Sequence, residues 1–160
     1  MCDYSLMAVP NRLAHEGEEL VAYRFPTGSL GLASPSDVKR AACNPRASRG
    51  FWSNLKLFFN PPKHVPVPAV CIPPGARLRL DGISTRMQTD LSVGPTEEVT
   101  FTQISAAVNT YRDAVRFSNG KQIRLQEWRE GLRVKVLDLS TAEELDLDVL
   151  RRELGESLRS

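Results

Sequence analysis

Cysteine is scarce and odd in number in this chain: Cys2, Cys43 and Cys71 stand in 160 residues. That set is too sparse for a disulfide scaffold and suits a reducing cytosol. Histidine is scarcer, with His15 and His64 alone. No Cys-x-x-Cys or His-x-x-x-His spacing occurs, so the residues from which a metal site would be drawn (Cys2, Cys43, His64 and Cys71, with His15) do not form a structural zinc pattern. Neither a metal nor another cofactor is expected. A Gly-x-Gly-x-x-Gly loop, a P-loop and a Gly-x-Ser-x-Gly elbow are also missing, which removes the usual phosphate cradles and the hydrolase nucleophile turn. No apolar run approaches the roughly 20 residues that span a bilayer. The first ten residues have no basic region followed by an apolar one, so no signal peptide is expected. The expected setting is the cytoplasm, or the cytoplasmic face of a membrane as a peripheral protein.

Acid is missing over one long stretch. Residues 38–80 carry eight lysines and arginines and no aspartate or glutamate, whereas residues 1–37 sum to −3 and residues 138–160 to −4. The net charge of +2 hides these blocks. The basic block attracts an anionic partner, unless the acidic ends of the same chain fold against it.

Aromatics make up only 7% of the chain, yet Phe51, Trp52, Phe58 and Phe59 fall within nine residues. With Leu55 they recur at i, i+1, i+4, i+7 and i+8, one stripe of a helix. Ser48 is a suitable N-cap and Pro61 stops the helix. About three turns, roughly 16 Å, are expected. Four aromatics, each covering roughly 150–250 Å², exceed what a soluble monomer leaves open. The stripe is therefore covered by the domain's own core, by a partner protein, or by a membrane surface. Seven of the eleven prolines lie in residues 44–75. Residues 38–66 read as an inserted or wrapping arm, with Arg46, Arg49, Phe51, Trp52, Leu55, Lys56, Phe58 and Phe59 as its partner-binding side chains.

The rest reads as mainly β: a small antiparallel barrel or sandwich over residues 1–160, closed by a C-terminal helix at 140–158. Residues 1–17 read as an irregular lead-in. Strands are expected at 18–25 and 29–33 around the Pro26-Thr27-Gly28 turn, followed by a brief helix from Pro35 to Cys43. Further strands are expected at 67–72 and 76–80 around Pro73-Pro74-Gly75, then from residue 96, at 113–117, 121–126 and 132–137. A two-residue Asn119-Gly120 loop would put apolar and polar side chains on one face. A three-residue loop pairs Val115 with Ile123 and keeps that face apolar, with Gly120 left-handed. Asn119 then needs no special conformation, and its truncation is expected to cost less than Gly120→Ala. Ser140 and Glu143 make a capping box for the last helix.

Three functional classes remain open. The leading one is a non-catalytic accessory subunit or adaptor that docks on a protein assembly, including a membrane-associated one, through the arm. The second is a thiol- or metal-dependent enzyme: removal of Met1 would leave Cys2 beside an α-amine able to act as its base. The third is a single-strand nucleic-acid binder, since Arg46, Arg49 and Lys56 interleave with the aromatics. The helical rather than strand-like spacing of those aromatics counts against it, as does a pI of about 8.5. Adjacent carboxylates at Glu18-Glu19, Glu97-Glu98 and Glu143-Glu144 point to opposite faces in a strand and make poor acid–base pairs.

The opening Met-Cys-Asp-Tyr-Ser-Leu, with Phe101-Thr-Gln-Ile104 and Asp113-Ala-Val-Arg-Phe-Ser-Asn-Gly-Lys121, resembles a group of small uncharacterised bacterial proteins. The resemblance covers the N-terminus and the late β region and leaves out the aromatic arm. It implies a bacterial origin and no known activity. Related chains carry histidines just before the aspartate, where Asn109, Thr110, Tyr111 and Arg112 stand here. Any metal work done by those histidines is lost from this chain.

Overall fold

The structure, a computed structural model, describes residues 6, 8–43, 66–104 and 111–140. The aromatic helix expected at 48–60 and the body of the 140–158 helix lie outside the described residues, as does Cys2.

Alternation of apolar and polar residues builds one antiparallel sheet of seven strands. In chain order its members are β2 (Glu19–Arg24), β3 (Leu30–Ala33), β5 (Arg77–Asp81), β6 (Thr96–Gln103), β7 (Asp113–Phe117), β8 (Gln122–Arg124) and β9 (Arg133–Asp138). They lie side by side as β3-β2-β9-β5-β6-β7-β8. Leu20, Leu30, Leu78, Leu80, Phe101, Val115, Val134 and Val136 fill the concave side, and the polar residues between them face outward. The sheet curls so that β3 meets Leu125–Glu127, the 3-10 turn that follows β8. There the Gln126 side chain bonds the Leu30 backbone in both directions, at 2.9 and 2.7 Å. The fold is thus mainly β and barrel-like, as the alternation predicts. No helix among the described residues is long and apolar enough to cross a membrane.

The hairpin register follows the apolar face rather than the Asn-Gly motif. Val115 is paired with Ile123, Phe117 and Lys121 close the loop, and Gly120 has φ +84°. The loop is therefore three residues, with Gly120 in the left-handed bulge position.

Three features depart from the sequence reading. Residues 11–13 of the expected lead-in form β1 (Asn11–Leu13), which runs parallel to β4 (Ala69–Cys71) in a separate two-stranded sheet. The Pro73-Pro74 pair has no N–H to continue that ladder, and the chain turns at Gly75 into β5 of the large sheet. Next, Thr85–Leu91 is a helix, α2, capped by the Ser84 hydroxyl on the Met87 N–H and packed on the core through Met87 and Leu91. Finally, Asn119 is not idle. Its side chain donates to the carbonyls of Leu91 and Ser92 at 2.9 and 3.4 Å, while Lys121 Nζ donates to the Asp90 carbonyl and the Ser92 hydroxyl at 3.1 Å. The hairpin loop thus satisfies the open C-terminal carbonyls of α2, where a cation is favoured.

Helix α1 (Pro35–Ala42) forms where expected, with Ser34 before it and Pro35 at its first position. It lies on the outer side of β2 and β3. A second core of Leu6, Phe25, Ala33, Val67 and Ala69 sits there, with Val9, Tyr23, Val38 and Ala41 packed on it.

Candidate functional site

The described chain on either side of residues 44–65 converges at this second core. Helix α1 carries the chain outward through Ala41 to Cys43, and the described chain resumes at Pro66. Ala41, Pro66 and Val67 line one groove of about 460 Å³ together with Val9, Pro10 and Tyr23. Residues 44–65 span the interval between these ends, and they include Arg46, Arg49, Phe51, Trp52, Leu55, Lys56, Phe58, Phe59 and His64. All of those side chains lie outside the described residues.

The groove's floor follows from local packing. Tyr23 and Phe25 meet edge to face with ring centroids 5.0 Å apart, a favoured aromatic geometry. Phe25 and Leu6 press on β3 where Gly31 presents no side chain: a β-carbon there would lie 2.6 Å from Leu6 Cδ1 and 3.1 Å from Phe25 Cε2. Gly31 therefore lets the Leu6 side chain rest directly against β3.

The remaining candidates are dispersed. Cys43 is a free, exposed thiol at the end of α1. Cys71, expected as an inert buried thiol, is buried but disulfide-bonded, which removes its thiolate from any metal set. Among the described residues no three His, Cys, Asp or Glu side chains are grouped to hold a metal. Tyr111 is exposed, and the Arg112 carbonyl accepts the Ile104 N–H at 3.0 Å.

The carboxylates that the sequence sets side by side work separately. Glu18 takes a two-pronged hydrogen bond from the Arg12 guanidinium, one prong at 3.0 Å, and a third bond from the His15 N–H at 3.1 Å. The Arg12 bond holds the Glu18 carboxyl below the ordinary glutamate range and raises the arginine's own pKa. Its neighbour Glu19 is exposed on β2. Glu97 accepts the Gly94 N–H at 2.6 Å, whereas Glu98 pairs with Arg77 at 2.8 Å on the outer face. Glu143 and Glu144 lie outside the described residues.

Comparison with protein-family models, curated proteins and solved structures gives no match.

The groove was not legible in the sequence. Its lining comes from residues 8–10, 23, 26–27, 41 and 66–67, brought together by β2 and α1. No local motif joins them. The proline-rich composition and loss of acid suggest an inserted arm, but not that residues 41 and 66 share a groove.

Proposed function

We propose that this chain is a non-catalytic accessory subunit or adaptor that docks on a protein assembly through the arm of residues 38–66. The observation that carries the reading is the convergence of the arm's ends, through Ala41 and Pro66–Val67, on one apolar groove. A segment that leaves and rejoins a barrel at one place can be added without disturbing the strands, as surface insertions generally are. Phe51, Trp52, Leu55, Phe58 and Phe59, which the sequence spaces as one helix stripe, would supply the aromatic anchors that dominate protein interfaces. Arg46, Arg49 and Lys56 add charge that steers an anionic surface toward it. The disulfide at Cys71 counts against the reducing cytosol suggested by the sparse cysteines, because thiols are kept reduced there.

Native mass spectrometry of the protein purified from its source tests this reading. The wild-type chain should carry a stoichiometric protein partner. A Trp52→Ala/Phe58→Ala variant should lose it and keep the β circular-dichroism signal. If that variant unfolds, the stripe belongs to the core and the docking reading fails.

A further inference from the structure

The outer face of β9, β5, β6 and β7 holds more cations than its own acids neutralise. Because Leu78, Leu80, Val99, Phe101, Val115, Phe117, Val134 and Val136 are buried, the alternate positions point outward. These include Arg133 and Lys135 on β9, Arg77, Arg79 and Asp81 on β5, Glu98 on β6 and Arg116 on β7. Both of these acids are already engaged, Glu98 with Arg77 at 2.8 Å and Asp81 with Arg79 at 3.2 Å, and Asp138, opposite Arg77 at the end of β9, takes two hydrogen bonds from Ser140. Among the described residues, Arg116, Arg133 and Lys135 make no ion pair. Glu19 stands opposite Lys135 in the β2–β9 register without one.

Register sets the layout. Arg77, Thr100 and Arg116 lie on one line across three strands. Between them opens a groove of about 410 Å³, lined also by Glu98 and Ser118. Neighbouring strands are about 4.8 Å apart, so Arg116 stands roughly 14 Å across the sheet from β9, whose Arg133 and Lys135 are roughly 7 Å apart.

We propose that this face binds an acidic segment of a protein, with one carboxylate in the groove beside Arg116 and others over Arg133 and Lys135. Guanidinium groups suit carboxylates because their N–H donors can engage both oxygens. The Thr100 and Ser118 hydroxyls add donors at the groove. Phe117 also lines the groove but is buried, so the described strand face offers no open aromatic ring on which nucleotide bases could stack. Glu98 and Asp81 also interrupt it, which opposes a continuous row of phosphates but allows a peptide to place uncharged residues there. The inference concerns a surface separate from the arm and stands whether or not the arm docks.

The test is titration of the full chain with a glutamate-rich peptide at low salt, followed by backbone amide NMR. Shifts should cluster at Thr100, Arg116 and Arg133–Lys135, and binding should weaken as salt shortens the Debye length from about 10 Å at 0.1 M. An Arg116→Gln/Arg133→Gln/Lys135→Gln variant should bind at least about tenfold more weakly with an unchanged melting temperature, since these exposed side chains make no ion pair. The Trp52→Ala/Phe58→Ala variant should bind the peptide as the wild type does. Undiminished binding by the triple variant, or shifts confined to other surfaces, would overturn the inference. So would tighter binding of a single-stranded oligonucleotide on the same face.

Discussion

The side-chain amide of Gln126 makes with Leu30 the two hydrogen bonds that a neighbouring strand would make. The Leu30 N–H donates to Oε1 at 2.9 Å, and Nε2 donates to the Leu30 carbonyl at 2.7 Å. Leu30 lies on the edge strand β3, and Gln126 lies in the turn after β8, the opposite edge. One side chain thus joins the two ends of the curled sheet and satisfies edge groups that would otherwise be open to pairing with another chain.

Gln126→Ala should lower stability by about 2–4 kcal/mol, because two part-buried backbone groups lose their partners. Gln126→Glu keeps an acceptor for the N–H but sets a carboxylate against the Leu30 carbonyl. That environment raises the folded pKa of the new carboxyl. Its penalty should be full above the raised value and fade as pH falls toward the ordinary glutamate value of about 4.3. Urea midpoints across pH 4–8 check both, and a pH-independent loss in Gln126→Glu would show that the carbonyl does not face the new carboxylate.

At the hairpin, Gly120→Ala should cost about 1–2 kcal/mol. No atom lies within 4 Å of the added β-carbon, so the φ of +84° is the cause. Asn119→Ala should cost about as much, for another reason: it removes the donor to the α2 carbonyls and the acceptor for the Lys121 N–H. Asn119→Asp keeps the acceptor but sets a carboxylate against the α2 carbonyls at the negative helix end, so near neutral pH it should cost at least as much as alanine. If Asn119→Ala proves silent in denaturation, the hairpin does not hold the helix end in solution.

Gly31→Ala should destabilise by about 1–3 kcal/mol through overpacking against Leu6 and Phe25. Leu6→Ala alone should cost about 2–5 kcal/mol for the cavity it leaves. Combined, the two should lose less than the sum of their single effects, because the new methyl takes up part of the space vacated. Strict additivity of the two losses would mean that Leu6 does not rest on β3.

The Arg12–Glu18 pair makes stability depend on pH. The pKa of Glu18 is lowered in the folded state, so its contribution is fully present above the unfolded value of about 4.3 and is lost as pH falls through the folded value. Arg12 is 34% exposed, and solvent screening limits the pair to about 1 kcal/mol. The stability gap between wild type and Glu18→Gln should therefore be largest near neutral pH and shrink by pH 3. A gap of equal size at both values would contradict the assignment.

Where one face of a segment meets the core, the sequence determined the local structure. Leu132, Val134 and Val136 alternate with Arg133 and Lys135, and that period alone placed β9. The demand for one apolar face selected the pairing of Val115 with Ile123 over the shorter Asn-Gly loop. Proline and serine placed α1. What the sequence left open were contacts between distant polar groups and backbone. Gln126 reaches Leu30 across 96 residues, and Asn119 reaches Leu91 across 28. Neither glutamine nor asparagine has a periodicity that reveals its partner. Helix α2 was missed because its seven residues hold only two apolar anchors, Met87 and Leu91, too few to mark a stripe. β1 was missed because three residues are too short for an alternation, and its partner β4 lies 58 positions away. The convergence of residues 41 and 66 on one groove was likewise decided by tertiary structure, because only the packing of α1 and Val67 over β2 and β3 brings those positions together.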